Sequence, residues 1–224
     1  MECVCLTQET LSNYHPSEIS EWVKQLLLIQ HELLWTTKLK LPENTVGFSV
    51  TSEQREILET SGFLVGKMAM KYLQELLEEV QTSIIFIVEP MESKIYGYAI
   101  LTSPAKYKDI LNDLHLASAL DKKQWNDIIN NPNIRYITQM GIINDARRTG
   151  LGTFLIEKCK TLYSDGLLAG MMLEPLENKA SYKFFTSRRN GFSCVGYFDL
   201  QAMIYSGNTF PPTKTTVVIW KTDG

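Results

Sequence analysis

The sequence has little of what marks the most easily recognised classes of protein. Its 224 residues include only four cysteines and three histidines, without the spacing of a zinc site or of a disulfide framework. No apolar run approaches the roughly 20 residues that a membrane-spanning helix requires. The net charge of −3 argues against nucleic acid as the main partner. We therefore expect free thiols, no metal, no membrane span and no bound nucleic acid.

The stretch MECVCLTQET at the amino terminus lacks the basic flank and the apolar core of a secretory signal, so we expect a cytoplasmic protein. The remaining composition is that of a globular protein, with 44% hydrophobic and 21% charged residues. No repeat and no linker divides the chain, and its length predicts a single domain over residues 1–224.

Charge is distributed unevenly along the chain. Residues 1–100 carry 14 acidic and 7 basic side chains, whereas residues 101–224 carry 11 acidic and 15 basic ones. The net positive second part suits a small polyanion that binds on that side of the molecule. A drift of charge between two solvated faces explains the difference equally well.

The spacing of apolar residues changes near residue 80, which predicts helices before that point and mainly strands after it. The second of the early helices opens with a capping box of Thr51 and Gln54. The β-branched runs 83–90 and 94–102 predict an antiparallel hairpin. Further strands are predicted over 134–143, 167–175, 192–200 and 215–222, helices over 17–36, 51–58, 65–80, 106–117, 122–131, 152–163 and 177–189, and a break over 206–212.

The stretch DARRTGLGTFL, residues 145–155, places two arginines and two glycines where a predicted strand meets a predicted helix. Glycines at a helix start let backbone N–H groups approach a ligand without a Cβ in the way. Unpaired N–H groups and the helix dipole together make such a start an anion site. We name residues 147–152 the RxxGxG turn and predict that it binds phosphate. A solvated turn, or glycines needed only for close packing, are the alternatives.

The order strand, RxxGxG turn, helix, strand, Asn-led helix, strand, strand resembles the GNAT superfamily of acyl-CoA-dependent N-acyltransferases. The resemblance covers residues 84–220 and is most specific over 134–192. It implies an α/β (α+β) fold with a mixed, mostly antiparallel central sheet, a splayed parallel pair and helices on both faces, to which this chain adds a helical insertion over 104–133. The residues that match the family pattern are Arg147, Gly150, Gly152, Asn178, Ser181, Gly191 and Phe192.

By this resemblance, acetyl-CoA or a longer acyl-CoA is the co-substrate, and its pantetheine arm enters the splay between the two parallel strands. The side chain of Asn178 would bond the arm, although an ordinary N-cap explains this residue as well. The expected coenzyme-binding residues are Met140, Gly141, Ile142, Arg147, Arg148, Thr149, Gly150, Leu151, Gly152, Thr153, Asn178, Ser181 and Phe185. Four more cations could reach the ribose phosphate, although solvated surface suits each of them singly: Lys179, Lys183, Arg188 and Arg189.

Amine acylation needs a neutral amine and usually a proton for the departing thiolate. The family often uses a tyrosine as the acid where this chain has Phe185, which cannot donate a proton. Tyr182, one turn earlier, is the candidate substitute, and simple packing is its alternative role. For the base, the resemblance points to Glu174, which could instead recognise a positively charged acceptor. Tyr136 is a weaker candidate, and His31 is expected on a helix surface.

The resemblance implies transfer of an acyl group, most simply acetyl, to an amine of a small molecule, a peptide or a protein. The acidic first part of the chain suits a cationic acceptor. Two other functions stay open: a fatty-acyl transferase that acts on a peptide or metabolite amine, and a module that binds acyl-CoA without turnover. The insertion over 104–133 must bury its apolar residues, either as extra core or a homodimer surface, or as a cover over the acyl or acceptor site.

Overall fold

The computed structural model describes residues 1–42, 45, 49–117, 120–201, 203–205, 208–210 and 212–222, without the side chains of 203–205 and 208–210. The helices are α1 (Pro16–Leu33), α2 (Trp35–Lys38), α3 (Ser52–Ser61), α4 (Met70–Glu78), α5 (Lys108–Asn112), α6 (Lys122–Asn130), α7 (Leu151–Leu162) and α8 (Lys179–Phe185). The strands are β1 (Glu2–Leu6), β2 (Ser83–Glu89), β3 (Lys94–Thr102), β4 (His115–Leu116), β5 (Arg135–Ile142), β6 (Leu167–Glu174), β7 (Ser193–Leu200), β8 (Met203–Tyr205), β9 (Asn208–Phe210) and β10 (Thr213–Trp220).

Eight of these strands form one sheet in the order β1-β2-β3-β5-β6-β10-β7-β4, and β8 and β9 form a separate antiparallel hairpin. Every neighbouring pair in the large sheet is antiparallel except β5 and β6, which run parallel. The predicted mixed, mostly antiparallel sheet is therefore confirmed. Among the described helices, none is long and apolar enough to cross a bilayer.

The parallel pair separates along most of its length. β5 pairs with β6 only at three positions, Arg135 with Leu167, Tyr136 with Leu168 and Ile137 with Ala169. Beyond that point β5 keeps its ladder with β3 on the other edge, after a register shift opposite Ile100 and Leu101. A bulge of this kind bends a strand. The two strands therefore splay apart toward their carboxyl ends, as predicted.

Helices cover both faces of the sheet because alternate residues of each strand point to opposite faces. On one face, Leu155, Ile156 and Phe185 of α7 and α8 pack on inward strand residues such as Ile85 and Ala169. On the other face, α1 and α4 cover β1, β2 and β3, while α5 and α6 cover β7 and β10. Burial of each such aliphatic side chain stabilises the fold by roughly 1.5–3 kcal/mol.

Several local predictions are confirmed in detail. Thr51 and Gln54 form the capping box of α3, with each side chain bonded to the other residue's backbone N–H. The hairpin of β2 and β3 pairs in antiparallel register from Ser83 with Leu101 to Glu89 with Lys94. The cysteines are free thiols.

Other local predictions are wrong. Residues 2–6, which no pattern marked as a strand, pair with β2 along its edge. Residues 65–69 are not helical, and α4 begins at Met70. His115 and Leu116, placed in a predicted helix, instead pair with β7. Of the predicted break over 206–212, residues 208–210 form β9, while 206, 207 and 211 lie outside the described residues.

The insertion over 104–133 forms extra core. Leu111, Trp125 and Ile129 are buried in a cluster with Val195 and Val217 of the sheet. The Trp125 indole Nε1 donates a hydrogen bond to the Leu111 carbonyl oxygen at 2.7 Å, which ties α6 to α5. The helical pair thus closes the sheet face that α1 and α4 leave open.

Candidate functional site

A cavity of about 890 Å³ occupies the gap where β5 and β6 diverge. The RxxGxG turn and α8 border it from one face of the sheet. Residues 61–66, which we name the wall segment, border it from the other side, next to the cluster of α2 and α3. The strand residues between them include Ile137 at the point where the two strands rejoin.

Most of the expected coenzyme-binding residues line this cavity. They are Met140, Gly141, Ile142, Arg147, Arg148, Gly150, Gly152, Thr153, Asn178, Ser181 and Phe185. Thr149 and Leu151 belong to the same turn but do not line the cavity. Phe185 is buried, with its ring edge-on to the rings of Phe184 and Phe192. The structure thus brings together residues that lie up to 45 positions apart in the chain.

The RxxGxG turn has the backbone geometry of an anion site. Arg148 and Gly150 both adopt left-handed φ angles, +62° and +92°. α7 begins directly after Gly150 without a side-chain cap. The first N–H groups of a helix have no partner within the helix, and they lie at the positive end of the helix dipole. The N–H groups of residues 151–153 are therefore placed to bind an anion. The predicted phosphate site therefore has suitable geometry.

The two arginines of the turn have different surroundings. Arg148 is exposed. Arg147 is partly buried, and its Nε donates to the Ile142 carbonyl oxygen at 3.2 Å while its Nη1 donates to the Ser61 carbonyl oxygen. Burial lowers the pKa of the Arg147 guanidinium, and the Glu32 carboxylate opposes that shift. The Arg147 side chain is therefore committed largely to the protein's own backbone.

Lys38 lies close to Arg147, a position that the sequence did not predict. Its Nζ donates to the Ser61 Oγ at 3.3 Å. Burial, followed by the nearby Arg147 charge, lowers the pKa of Lys38 to about 8, and Glu32 acts in the opposite direction. A single lysine near the end of an amphipathic helical pattern carries no sequence signal that distinguishes it from a solvated one.

Asn178 caps α8 and also contacts the wall segment. Its Oδ1 accepts from the Ser181 N–H at 3.2 Å, and its Nδ2 donates to the Phe63 carbonyl oxygen at 3.0 Å. The residue is 8% exposed. The N-cap role that the sequence left open is therefore present, and the amide that was expected to bond the coenzyme arm is occupied by the protein.

Gln139 of β5 lines the cavity and is another residue that the sequence did not mark. Its Oε1 accepts from the buried Tyr98 hydroxyl at 2.7 Å, and its Nε2 donates to the Gly66 carbonyl oxygen at 3.2 Å. Burial raises the pKa of the Tyr98 hydroxyl well above its usual value, so this group stays protonated. The other end of the wall segment is thereby tied to β5.

The two preferred catalytic candidates do not line the cavity. Glu174, the last residue of β6, is exposed and its Oε1 lies 3.2 Å from the Lys214 Nζ. Tyr182 packs against the apolar cluster on the α7 side of the sheet. His31 is exposed on α1, as expected. The sequence placed Glu174 and Tyr182 near the chemistry, but the end of β6 and the packing of α8 direct both elsewhere.

Tyr136 approaches the cavity more closely. A Cβ added to Gly170, which lines the cavity, would lie 2.3 Å from the Tyr136 hydroxyl oxygen. Burial raises the pKa of this hydroxyl, and Tyr107 raises it further. The Tyr107 ring lies 5.0 Å from the Tyr136 ring. Tyr136 is therefore not itself a lining residue, but its protonated hydroxyl lies against Gly170 of β6, which is one.

Among the described residues, the four additional cations, the insertion and the His, Cys, Asp and Glu side chains all lie outside the cavity lining. Lys179 pairs with Glu59 at 2.6 Å, and Lys183, Arg188 and Arg189 are exposed and outside the cavity lining. No described residue of the insertion lines the cavity, because most of its apolar side chains pack on β7 and β10; its Tyr107 lies behind the lining, against Tyr136 and 3.3 Å from the Thr138 hydroxyl oxygen. The helices of the insertion therefore do not cover the cavity itself, and the insertion approaches it only through Tyr107 among the described residues. Within the described ranges, no group of three or more His, Cys, Asp or Glu side chains could hold a metal ion.

Comparisons with known proteins identify the fold. No family model matches the chain, and no characterised protein matches it by sequence. The structure of Arabidopsis thaliana NAA60 with acetyl-CoA is 13% identical, with a TM-score of 0.54 over 100% of this chain and 99% of that one. The same protein with a bisubstrate analogue is 11% identical, with a TM-score of 0.54 over 98% and 97%.

A bacterial enzyme has a similar structure. The ribosomal-protein-S18-alanine N-acetyltransferase from Escherichia coli is 9% identical, with a TM-score of 0.50 over 100% of this chain and 97% of that one. At such identities the similarity concerns the fold. The chain has the fold of the GNAT acetyltransferases, and the fold expected from the sequence resemblance is confirmed.

Proposed function

We propose that this protein is an N-acyltransferase that moves an acyl group, most simply acetyl, from acyl-CoA to an amine. The observation that carries the proposal is the cavity between the splayed strands, with the uncapped start of α7 at one border and the wall segment at the other. An anion site next to a gap with unpaired strand backbone is what a coenzyme thioester requires.

The coenzyme phosphates would bind at the RxxGxG turn, on the N–H groups of residues 148–153 and near the exposed Arg148 side chain. The pantetheine arm would lie along β5 at Met140, Gly141 and Ile142. Beyond Ile137 this strand pairs only with β3, so backbone groups on its other edge face the gap. An amide-rich arm can bond such groups in the way a further strand would.

The acyl group would lie at the inner end of the gap, where the strands rejoin. A neutral amine attacks the thioester carbonyl carbon and gives up a proton to water, the C–S bond breaks, and the released thiolate takes a proton from an acid of the site that water then reprotonates. Tyr136 is the residue that we favour as proton donor, because its raised pKa keeps the hydroxyl protonated. Phe185 cannot serve in that role.

Two observations bear on the length of the acyl group and on the class of amine. Because the strands rejoin at Ile137 and Ala169, we favour acetyl over longer acyl groups. The E. coli neighbour is named for a protein acceptor, which supports a peptide or protein amine alongside small amines. We further infer a single domain over residues 1–224 and retain the cytoplasm as the predicted compartment.

The test has two stages. The first compares the melting temperature with free CoA, acetyl-CoA and longer acyl-CoAs, since a ligand at a hundred times its Kd stabilises the folded state by about 2.7 kcal/mol. The second measures thiol release from the best donor with peptides that have a free α-amine, with α-blocked peptides that contain lysine, and with polyamines. No shift with any coenzyme would refute the proposal. Binding without thiol release would favour the module that binds acyl-CoA without turnover, and a preference for long chains would favour the fatty-acyl transferase.

A further inference from the structure

We infer that Arg147 is a positioning residue: its guanidinium braces the wall segment, the border of the cavity that the proposed coenzyme contacts leave free for the acceptor. This inference rests on the proposed function. The sequence pattern marks Arg147 as a phosphate ligand, whereas its observed bonds run to the carbonyl oxygens of Ile142 and Ser61. The side chain thus joins the end of β5 to the start of the wall segment.

The wall segment is held mainly from the coenzyme side. Arg147 bonds the carbonyl of Ser61, Asn178 bonds that of Phe63 at 3.0 Å, and Gln139 bonds that of Gly66 at 3.2 Å. All three donors line the cavity. A segment whose carbonyls are fixed by the walls of the coenzyme gap moves only if those donors move.

The rest of the wall segment is tied to the end of α1. The Leu64 N–H donates to the Leu33 carbonyl oxygen at 2.8 Å, and the Trp35 N–H donates to the Leu64 carbonyl oxygen at 3.0 Å. Gly62 ends α3 with a φ of +64° and turns the chain against α8. These two backbone bonds and the buried Phe63 ring hold the middle of the segment, and the side-chain bonds of Arg147 and Gln139 hold its two ends.

The charges around Arg147 favour bracing over phosphate binding. The Lys38 Nζ bonds the Ser61 side chain beside it, and Glu32 lies close enough to oppose the pKa shifts of both cations. Glu32 also accepts from the Asn144 N–H at 2.7 Å. Two of the five guanidinium N–H groups of Arg147 bond backbone carbonyls, and these bonds with the nearby Glu32 charge hold the side chain toward the wall segment, whereas the neighbouring Arg148 side chain is exposed.

The experiment compares Arg147→Met with the matched control Arg148→Met. Two quantities are measured for each variant: the Kd of CoA by calorimetry, and hydrogen exchange at the amides of residues 61–66. For Arg147→Met we expect exchange about tenfold faster and a CoA Kd within about threefold of the wild type, because a buried charged hydrogen bond is lost. For Arg148→Met we expect weaker CoA binding with exchange in the wall segment unchanged.

A kinetic readout separates positioning from mere stability. With acetyl-CoA and the best acceptor of the amine panel, Arg147→Met should raise the KM of the acceptor at least as much as it lowers kcat. Arg147→Lys, which keeps the charge but lacks the planar fork, should resemble the methionine variant in hydrogen exchange. If Arg147→Met does not fold, Arg147→Lys takes its place in the exchange and kinetic measurements.

Either of two results would overturn the inference: unchanged exchange at residues 61–66 in both Arg147 variants, or a loss of CoA affinity in Arg147→Met as large as in Arg148→Met. Failure of the proposed function would be distinct, because the wild-type protein would then not bind CoA, while the exchange measurement would still report on the brace.

Discussion

Gly150 and Gly152 stand two positions apart in the RxxGxG turn and meet different needs. A Cβ on Gly150 would touch nothing within 4 Å, but its φ of +92° is costly for any other residue. A Cβ on Gly152 would lie 3.0 Å from the Phe184 ring, so this glycine allows close approach of α7 and α8. One residue is needed for conformation and the other for space.

Gly150→Ala should therefore lower the free energy of unfolding by about 1–2 kcal/mol and weaken CoA binding, because the turn must leave its left-handed geometry. Gly191→Ala is the matched control: its φ is +68° and it lies outside the cavity lining. Urea unfolding and calorimetry should show a similar stability loss for both variants and weaker binding only for Gly150→Ala. Equal CoA affinity in the two variants would contradict the role of the turn.

The contact between Tyr136 and Gly170 predicts an effect on the chemical step. Tyr136→Phe should lower kcat about 100-fold, the usual scale for loss of a general acid, with little change in the Kd of CoA. Single-turnover kinetics with acetyl-CoA measure the first quantity and calorimetry the second. A kcat within twofold of the wild type would remove Tyr136 from the mechanism.

Gly170→Ala tests the same contact through stability. The new methyl group would lie 2.3 Å from the Tyr136 hydroxyl oxygen, and we expect a loss of about 1–3 kcal/mol in the free energy of unfolding. The double variant with Tyr136→Phe removes the obstructing oxygen and should regain part of that loss. Additive effects in the double variant would show that the two sites do not interact.

Lys38 predicts a pH dependence of stability. Its folded-state pKa of about 8 lies below the value of about 10.4 for an unfolded lysine, so the unfolded chain binds more protons between those values. The contribution of Lys38 to the free energy of unfolding should therefore rise with pH from about 8 to about 10.4. The measurement is urea unfolding of the wild type and Lys38→Met across that range. A difference that does not change with pH would contradict the prediction.

Residue patterns predicted part of the cavity lining. The RxxGxG turn and Asn178 stand next to predicted strand and helix boundaries, so local sequence reveals them. Lys38 and Gln139 acquire their roles through bonds to Ser61 and Gly66, which are 23 and 73 residues away. No local pattern encodes such a contact, and both residues were missed.

At the scale of elements, substitutions in the insertion can show whether it stabilises the core or contributes to coenzyme binding. Trp125→Ala removes a buried indole and its bond to the Leu111 carbonyl, and should lower the free energy of unfolding by about 3–5 kcal/mol. The exposed Lys123→Ala on the same helix should change it by less than about 0.5 kcal/mol. CoA affinity of the folded protein, measured by calorimetry, should be the same in both. A selective loss in Trp125→Ala would link the insertion to the site.

Long, strongly periodic elements were predicted with small errors at their ends. β5 and β6 each lie within a residue of their predicted limits. The five-residue β1 and the two-residue β4 were missed because strands this short derive their pairing from β2 and β7 and not from their own pattern. The wall segment was missed for a similar reason, since distant side chains determine its path.

At the scale of the whole molecule, the uneven charge predicts a salt dependence of coenzyme binding. The positive second part of the chain contains the RxxGxG turn, and the screening length falls from about 10 Å at 0.1 M salt to about 3 Å at 1 M. We expect the Kd of CoA to rise severalfold over that range, whereas the Kd of pantetheine, which lacks the phosphates, should stay constant. Calorimetry, with competition for the weaker ligand, measures both. An equal response of the two ligands would contradict a phosphate site.

The three residue pairs that join β5 to β6 also have a mechanical meaning. Among the described residues, they are the only direct ladder between a half-sheet of β1, β2, β3 and β5 and another of β6, β10, β7 and β4. Three parallel pairs form a short seam, and the rest of the connection between the halves is side-chain packing, as in the cluster that joins Ile85 and Leu101 to Ala169 and Val218. Under a pulling force this seam should rupture before either half unfolds. A molecule bound in the gap would contact both halves and resist that rupture.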